Sequence, residues 1–377
     1  MTVNTVHFQK WGKATVNRLI KETFNYAKSA IQHELVDNYG LAANAIEQTI
    51  HVTTLSGSQN ERLNTLKNLH ANLMQAIQQD EFSNGQQDST EHPNAQAIAQ
   101  LGGTWFTAED DHEKARILQE RVSLDPVDKT SNLPMTLTQR LLANGIDIRS
   151  YHNYQPSSPA LNLEHSNKQW LRPPAQALAL LAEICNPHQK QILENLLQEE
   201  RLRLMDYSSG ASDFCIASLQ GCFIQLTTNQ GQVNMYDLLH EFGHYLHFGK
   251  QLDVWSTCTD LEQETAAVAF EISCLQHLEK RQPIEIINRS PALHTTDACL
   301  SNLRKYYYGD WLWRVHLFEV ALHFEQIDCP KQLDSIWARI VGTSHGNWRQ
   351  QSHLYIAPFY TVLYPFTLAK KDTTSTV

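Results

Sequence analysis

Tyr236-Asp-Leu-Leu-His-Glu-Phe-Gly-His-Tyr-Leu-His247 is the stretch whose reading decides what kind of fold this chain adopts. It contains His240-Glu241-Phe242-Gly243-His244, an HExxH pattern. Tyr236, Leu239, Phe242 and Leu246 recur at helical spacing around it. On a helix, residues four apart lie on one face, so the imidazoles of His240 and His244 converge on one ion. Glu241, next to the first ligand, is placed to hydrogen-bond a bound water rather than the metal. Zinc lowers the pKa of that water from about 15.7 to about 7, and the carboxylate takes its proton during attack on a carbonyl. Gly243 costs roughly 1 kcal/mol in a helix interior. A glycine between two ligands points to close packing or binding there.

A catalytic zinc needs a third protein ligand and an open fourth position. Asp260-Leu-Glu-Gln-Glu264-Thr-Ala-Ala-Val-Ala-Phe-Glu271 reads as a second helix, with Asp260 as N-cap and acids in its first turn. Glu264 follows His244 by twenty residues, and Ala266 and Ala267 permit close helix approach. Glu271, seven positions further on, lies on the same face and is the alternative third ligand. Glu262 is a further candidate. Read blandly, these acids form a solvated helical face, which would leave the histidine pair without a carboxylate partner.

These residues carry a family resemblance. Leu238-Leu-His-Glu-Phe-Gly-His-Tyr-Leu-His247 is similar to the signature of the thimet oligopeptidase and oligoendopeptidase F family of zinc metallopeptidases. Thr259–Glu271 resembles that family's second motif, in which a Glu ligand precedes small residues and a trailing Glu. By that match Glu264 is the ligand and Glu271 the trailing acid. The loop from His244 is a few residues shorter than the family pattern, which keeps Glu271 as the alternative. Ser208–Thr227, Trp313–Glu325 and Ile356–Tyr364 resemble further family segments, so the likeness runs roughly over residues 204–369. In the last of them the family places a Tyr that donates to the tetrahedral intermediate, a role that falls here on Tyr360 or Tyr364. Where the family has a His in that segment this chain has Pro358, with His353 nearby.

The resemblance implies a helical, zincin-like metallopeptidase of the HEFGH gluzincin type with a shortened N-terminal half. It implies one Zn2+ per chain, held by His240, His244 and Glu264, with Glu241 as catalytic base. Short peptide substrates and endopeptidase action follow from the same likeness. The alternative is a catalytically inactive zinc-binding relative acting as a peptide- or protein-binding module, and intact Glu241 argues against it. A metal-free helical scaffold is the third reading.

Composition bounds the rest. The chain has 377 residues, 42% hydrophobic and 19% charged, and a formal net charge of −10. That balance describes a globular protein and disfavours a nucleic-acid surface. Seven cysteines without a Cys-x-x-Cys pair read as reduced thiols, and no signal pattern opens the chain. The expectation is a cytoplasmic protein with no membrane span. Its oligomeric state is not legible.

The pattern is mostly α. Phe8–Leu35 and Asn60–Ile77 have helical spacing, and polar Asp80–Pro93 reads as a linker, giving a helical region 1–92 and a catalytic domain 93–377. Ala108–Val122 and Met135–Ala143 read as helices, and Asp125–Pro134 and His152–Pro159 as loops. Pro174–Met205 reads as one long helical run broken at Asn186-Pro187. Strand composition is confined to Phe214–Ala217 and Cys222–Thr227, which predicts a small β-sheet beside the active-site helix. From Thr295 onward the chain is helical and aromatic. His247 reads as core or as support for the ligands, and most of Tyr306–Trp313 as core.

Overall fold

The computed structural model describes residues 110–156, 170–206, 214–218, 221–248, 259–281, 300–325, 329–342, 347–351 and 353–374, with a few isolated positions besides. The expected helices Phe8–Leu35 and Asn60–Ile77, the 80–93 linker and the region 1–92 lie outside them, Lys21 apart.

In chain order the elements are α1 (Asp111–Leu124), β1 (Val127–Asp128), β2 (Leu133–Pro134), α2 (Met135–Ala143), α3 (Ile148–His152), β3 (Leu171–Arg172), α4 (Pro174–Ile184) and α5 (Pro187–Gln198). Strands β4 (Leu202–Asp206), β5 (Phe214–Ser218), β6 (Gly221–Asn229) and β7 (Gln232–Asn234) lead into α6 (Met235–Phe248) and α7 (Asp260–Arg281). The last part holds α8 (Leu300–Tyr306), a π-helical turn Tyr307–Trp311, α9 (Leu312–Ala321), α10 (Pro330–Ile340), α11 (His353–Ile356) and α12 (Leu363–Thr374). The protein is mostly helical with a small sheet. None of its described helices is long and apolar enough to cross a membrane.

The chain divides into two compact units. In the first, described residues come from Gln169–Cys258 and Ala269–Cys274, with Lys21; in the second, from Ser89–Lys168, Thr259–Val268 and Leu275–Val377. Helix α7 therefore contributes to both.

The first unit is built on a five-stranded sheet in the order β3-β7-β6-β4, with β5 also paired to β6. Strands β6 and β7 form a hairpin whose two-residue loop, Gln230-Gly231, has both φ positive at 51° and 73°. That is the type I′ geometry whose twist matches the flanking strands. The chain passes straight from β7 into α6, which packs on β5, β6 and β7 and buries Leu238, Leu239 and Phe242. The sheet thus fixes the pitch of the helix that carries the histidines.

The long run Pro174–Met205 needs correction. It breaks at Asn186 as expected: Asn186 Oδ1 accepts the Gln189 amide at 2.9 Å, its own amide donates to Gln189 Oε1 at 3.0 Å, and Pro187 occupies the first helical position. The run then ends at Gln198, and its last stretch is β4, parallel to β6 with Leu202 opposite Ile224. The helix closes in a Schellman motif, with Arg201 N–H donating to Leu196 O and Glu200 N–H to Leu197 O. Glu200 takes the left-handed conformation (φ 52°) usually held by glycine, so the stop carried no glycine signal. Sheet pairing then claims the Leu202-Arg-Leu204 alternation. The short strands β3 and β7 were likewise outside the expected strand set, and β1 and β2 pair within the stretch read as a loop.

The second unit packs Leu133, Leu137, Leu141, Ile146, Tyr151, Leu261, Trp313, Phe359, Val362 and Leu363 into one core. Helix α2 runs over Met135–Ala143, as the pattern predicts, and also ends in a Schellman motif, with Gly145 at φ 64°. Arg121 and Glu319 form a buried ion pair at 2.6 Å. Phe359 donates its amide to the same Glu319 oxygen at 2.9 Å. Phe359 is left-handed (φ 59°), a state that costs a bulky residue of order 1–3 kcal/mol. It persists because Glu319 holds its amide and its ring is wholly buried.

Candidate metal centre

Helix α6 turns His240 and His244 to one side, and the two Nε2 atoms lie 3.2 Å apart. Two nitrogens about 2.05 Å from one tetrahedral centre are separated by roughly 3.3 Å, so the pair already has zinc-ligand spacing. Glu264 completes the group: one ligand atom from each of His240, His244 and Glu264 lies within 4.8 Å of the others. All three are buried, with His240 and His244 8% exposed and Glu264 3%. Two imidazoles and one carboxylate are a donor set for a divalent ion with an open position. Among the described residues this is the group that can hold a metal.

Glu271 takes a different place. It is wholly buried, and one of its oxygens is 3.6 Å from Nδ1 of His240, the ring nitrogen opposite Nε2. A carboxylate there fixes the tautomer and orientation of a ligating imidazole. Seven residues of helix rise roughly 10.5 Å, so Glu264 and Glu271 cannot serve one ion together. Helix α7 instead places Glu271 behind Nδ1 of His240 and Glu264 in the group with both histidines.

Glu262 is engaged elsewhere. Thr259 N–H donates to its Oε2 at 3.0 Å, while Thr259 Oγ1 accepts the Glu262 amide at 3.3 Å. This capping box makes Thr259 the N-cap of α7, correcting the expectation for Asp260. Asp260 is the first helical residue and pairs with Arg140 at 3.0 Å. The Thr259-x-x-Glu262 spacing was readable as a cap in the sequence.

Glu241 is buried on α6, 7% exposed, between the two histidines in sequence. His247 is exposed, which removes it from the core. Tyr360, in the 3-10 turn Tyr360–Val362, donates its phenol proton to Glu264 Oε1 at 2.6 Å. Tyr364 sits one turn further, edge-on to Tyr360 at 6.0 Å and stacked on Tyr308 at 5.3 Å. Burial and the nearby Glu264 carboxylate push both phenols well above their ordinary range, so both stay protonated donors. His353 stacks on the Tyr360 ring at 5.4 Å.

Of the aromatic run, Tyr308, Trp311 and Trp313 are buried, as a core reading expects. The π-helical turn Tyr307–Trp311 interrupts the expected continuous helix at this point. Added residues of this kind often mark functional places. Here Gly309 lets the turn approach Tyr154, whose phenol donates to Gly309 O at 2.9 Å. A side chain at 309 would stand 3.3 Å from Leu368 Cδ1.

Two residues of the surroundings escaped the sequence reading. Arg140 donates from Nε to Pro358 O at 2.9 Å and lies over the Tyr360 ring at 5.3 Å. Asn144 Oδ1 accepts the Leu261 amide at 2.7 Å, in the first turn of α7. No local pattern marks either one. Comparison with known proteins finds no family model and no curated protein that matches this chain.

Proposed function

We propose that this chain is a zinc-dependent metallopeptidase with a zincin-like site, hydrolysing peptide bonds in short peptides within the cytoplasm. The observation that carries the reading is the buried convergence of His240, His244 and Glu264 around zinc-ligand spacing, with Glu241 adjoining the first histidine. Bound there, zinc would supply Lewis-acid polarisation and bring the pKa of water down to about 7. His240, His244 and Glu264 are the residues that would hold it.

The roles of the other side chains follow from where they sit. Glu241 takes the proton of the attacking water and returns it to the leaving amine, so one carboxylate serves as base and then acid. Glu271, 3.6 Å behind Nδ1 of His240, favours the tautomer that keeps Nε2 free for the ion. Tyr360 steadies Glu264 through its phenol. In this reading the neighbouring phenol of Tyr364 is the donor to the oxyanion, where one preorganised donor is worth about 3 kcal/mol.

Structural zinc has no use for a base beside its ligand, which favours the catalytic reading over the binding module. Purified protein should carry near one zinc per chain and cleave internally quenched fluorescent peptides. A chelator should remove the activity and zinc restore it. Zinc without hydrolysis of any peptide in a random library would leave the binding module; absence of zinc affinity would leave the scaffold.

A further inference from the structure

The hydrogen bond between Tyr360 and Glu264 joins two segments that one guanidinium also spans. Arg140, in the last turn of α2, touches both of those segments. Its Nε holds Pro358 O, two residues before Tyr360, at 2.9 Å. Its carbon centre lies 5.3 Å from the Tyr360 ring centroid, a cation–π distance. Its Nη1 meets Asp260 at 3.0 Å, one helical turn before Glu264. The helix end that carries Arg140 is tied to α7 a second time, through Asn144 and the Leu261 amide. Asn144 in turn donates from Nδ2 to the Arg140 carbonyl at 2.9 Å.

The turn that Arg140 grips is under strain. Phe359, between Pro358 and Tyr360, is the left-handed residue whose amide is held by Glu319 on the buried side. Its conformation sets the direction in which Tyr360 leaves the backbone. Glu319 fixes the turn from within, and Arg140 fixes it through the Pro358 carbonyl and the Tyr360 ring. A planar guanidinium with several donors can make these contacts together, which an ammonium cannot.

We propose that Arg140 is a positioning residue, setting the Tyr360 phenol against Glu264 and so presetting the carboxylate for the metal. The proposal rests on the metallopeptidase reading for its consequence, but the arrangement itself is testable without metal. Residues that orient ligands from outside typically contribute ten- to a hundredfold in metal affinity.

The test is a double-variant cycle with zinc alone, measured by competition against a chromophoric chelator. Arg140→Met keeps the length and apolar stem while removing every donor. It should weaken zinc binding about tenfold or more in the parent. In a Tyr360→Phe background the same change should cost less than about twofold, because its path to Glu264 is already gone. Equal losses in both backgrounds would overturn the proposal, since a merely structural role lowers affinity regardless of Tyr360. Melting temperatures of the four proteins separate general destabilisation from this coupling. In metal-free protein, 3-fluorotyrosine at position 360 should give a 19F resonance that Arg140→Met shifts or broadens. An unmoved resonance overturns the positioning role. A parent without zinc affinity sinks the peptidase reading, and the metal-free resonance then decides the positioning claim alone.

Discussion

Glu271 faces Nδ1 of His240 at 3.6 Å, while His244 faces the opposite nitrogen, Nε2, at 3.2 Å. A single imidazole is thus addressed from both ends, by a carboxylate behind and a second imidazole in front. The two acids on one face of α7 take different places: Glu271 lies behind Nδ1 of His240, and Glu264 groups with the two histidines as a candidate ligand set.

Glu264→Ala should therefore abolish high-affinity zinc binding. Glu271→Gln should keep zinc but weaken it about ten- to a hundredfold, because only the ring's support is altered. Chelator competition on the two variants checks this. A Glu271 variant that loses all zinc beside a Glu264 variant that keeps it would exchange the two roles.

Glu241→Gln should remove peptide hydrolysis at unchanged zinc content, since the amide keeps the shape but cannot take a proton. Atomic absorption and peptide cleavage on the same preparation decide the point. Loss of the metal, or hydrolysis at the parent rate, would mean that another group is the base.

The two phenols should separate in kinetics. Tyr364→Phe removes a donor used in the transition state, so kcat should fall about a hundred- to a thousandfold with KM and zinc affinity little changed. Tyr360→Phe removes a bond already made to Glu264, so its main effect should be weaker zinc binding. If kcat survives in Tyr364→Phe and collapses in zinc-saturated Tyr360→Phe, the oxyanion role passes to Tyr360.

Acid should destabilise the fold through His316. This ring is wholly buried against Tyr151, with Nε2 3.0 Å from the phenol oxygen, and burial pushes it down to about 3. Unfolded, it titrates near 6.5. As pH falls below that value the unfolded chain binds the proton first, so this contribution is full above about 6.5 and is lost toward pH 3. The slope is up to about 1.4 kcal/mol per pH unit. Burial and the Arg121 charge lower His323 to about 4, with the same sign. Urea unfolding of the parent and of His316→Gln at pH 7, 6 and 5 isolates the first ring. The parent should lose stability more steeply between pH 6 and 5, and parallel curves would show that His316 is not held neutral.

Local rules made much of this legible. The i, i+4 spacing of His240 and His244, the break at Asn186-Pro187 and the helix Met135–Ala143 depend on neighbours within a turn or two, so sequence pattern reaches them. Where a local signal was missing, the reading failed. Glu200 closes α5 in a conformation associated with glycine, and β4 follows because β6 offers it a partner. At α7 a signal was present but competing, with Thr259 rather than Asp260 capping the helix.

By itself the sequence determined a mostly helical chain, a helix presenting two histidines with a glutamate between them, and a second helix carrying the acids. Spacing alone left Glu264 and Glu271 on one face, and the motif resemblance put Glu264 first; where each acid sits relative to the His240 ring is decided by helix packing. Nor could the sequence foresee that Tyr360 would spend its phenol on Glu264, or that Arg140 would span both. Those relationships join residues 96 to 218 positions apart in sequence. They follow from how α2, α7 and the strained turn at Phe359 pack, because hydrogen-bond geometry is set by a few tenths of an ångström that only the assembled core fixes.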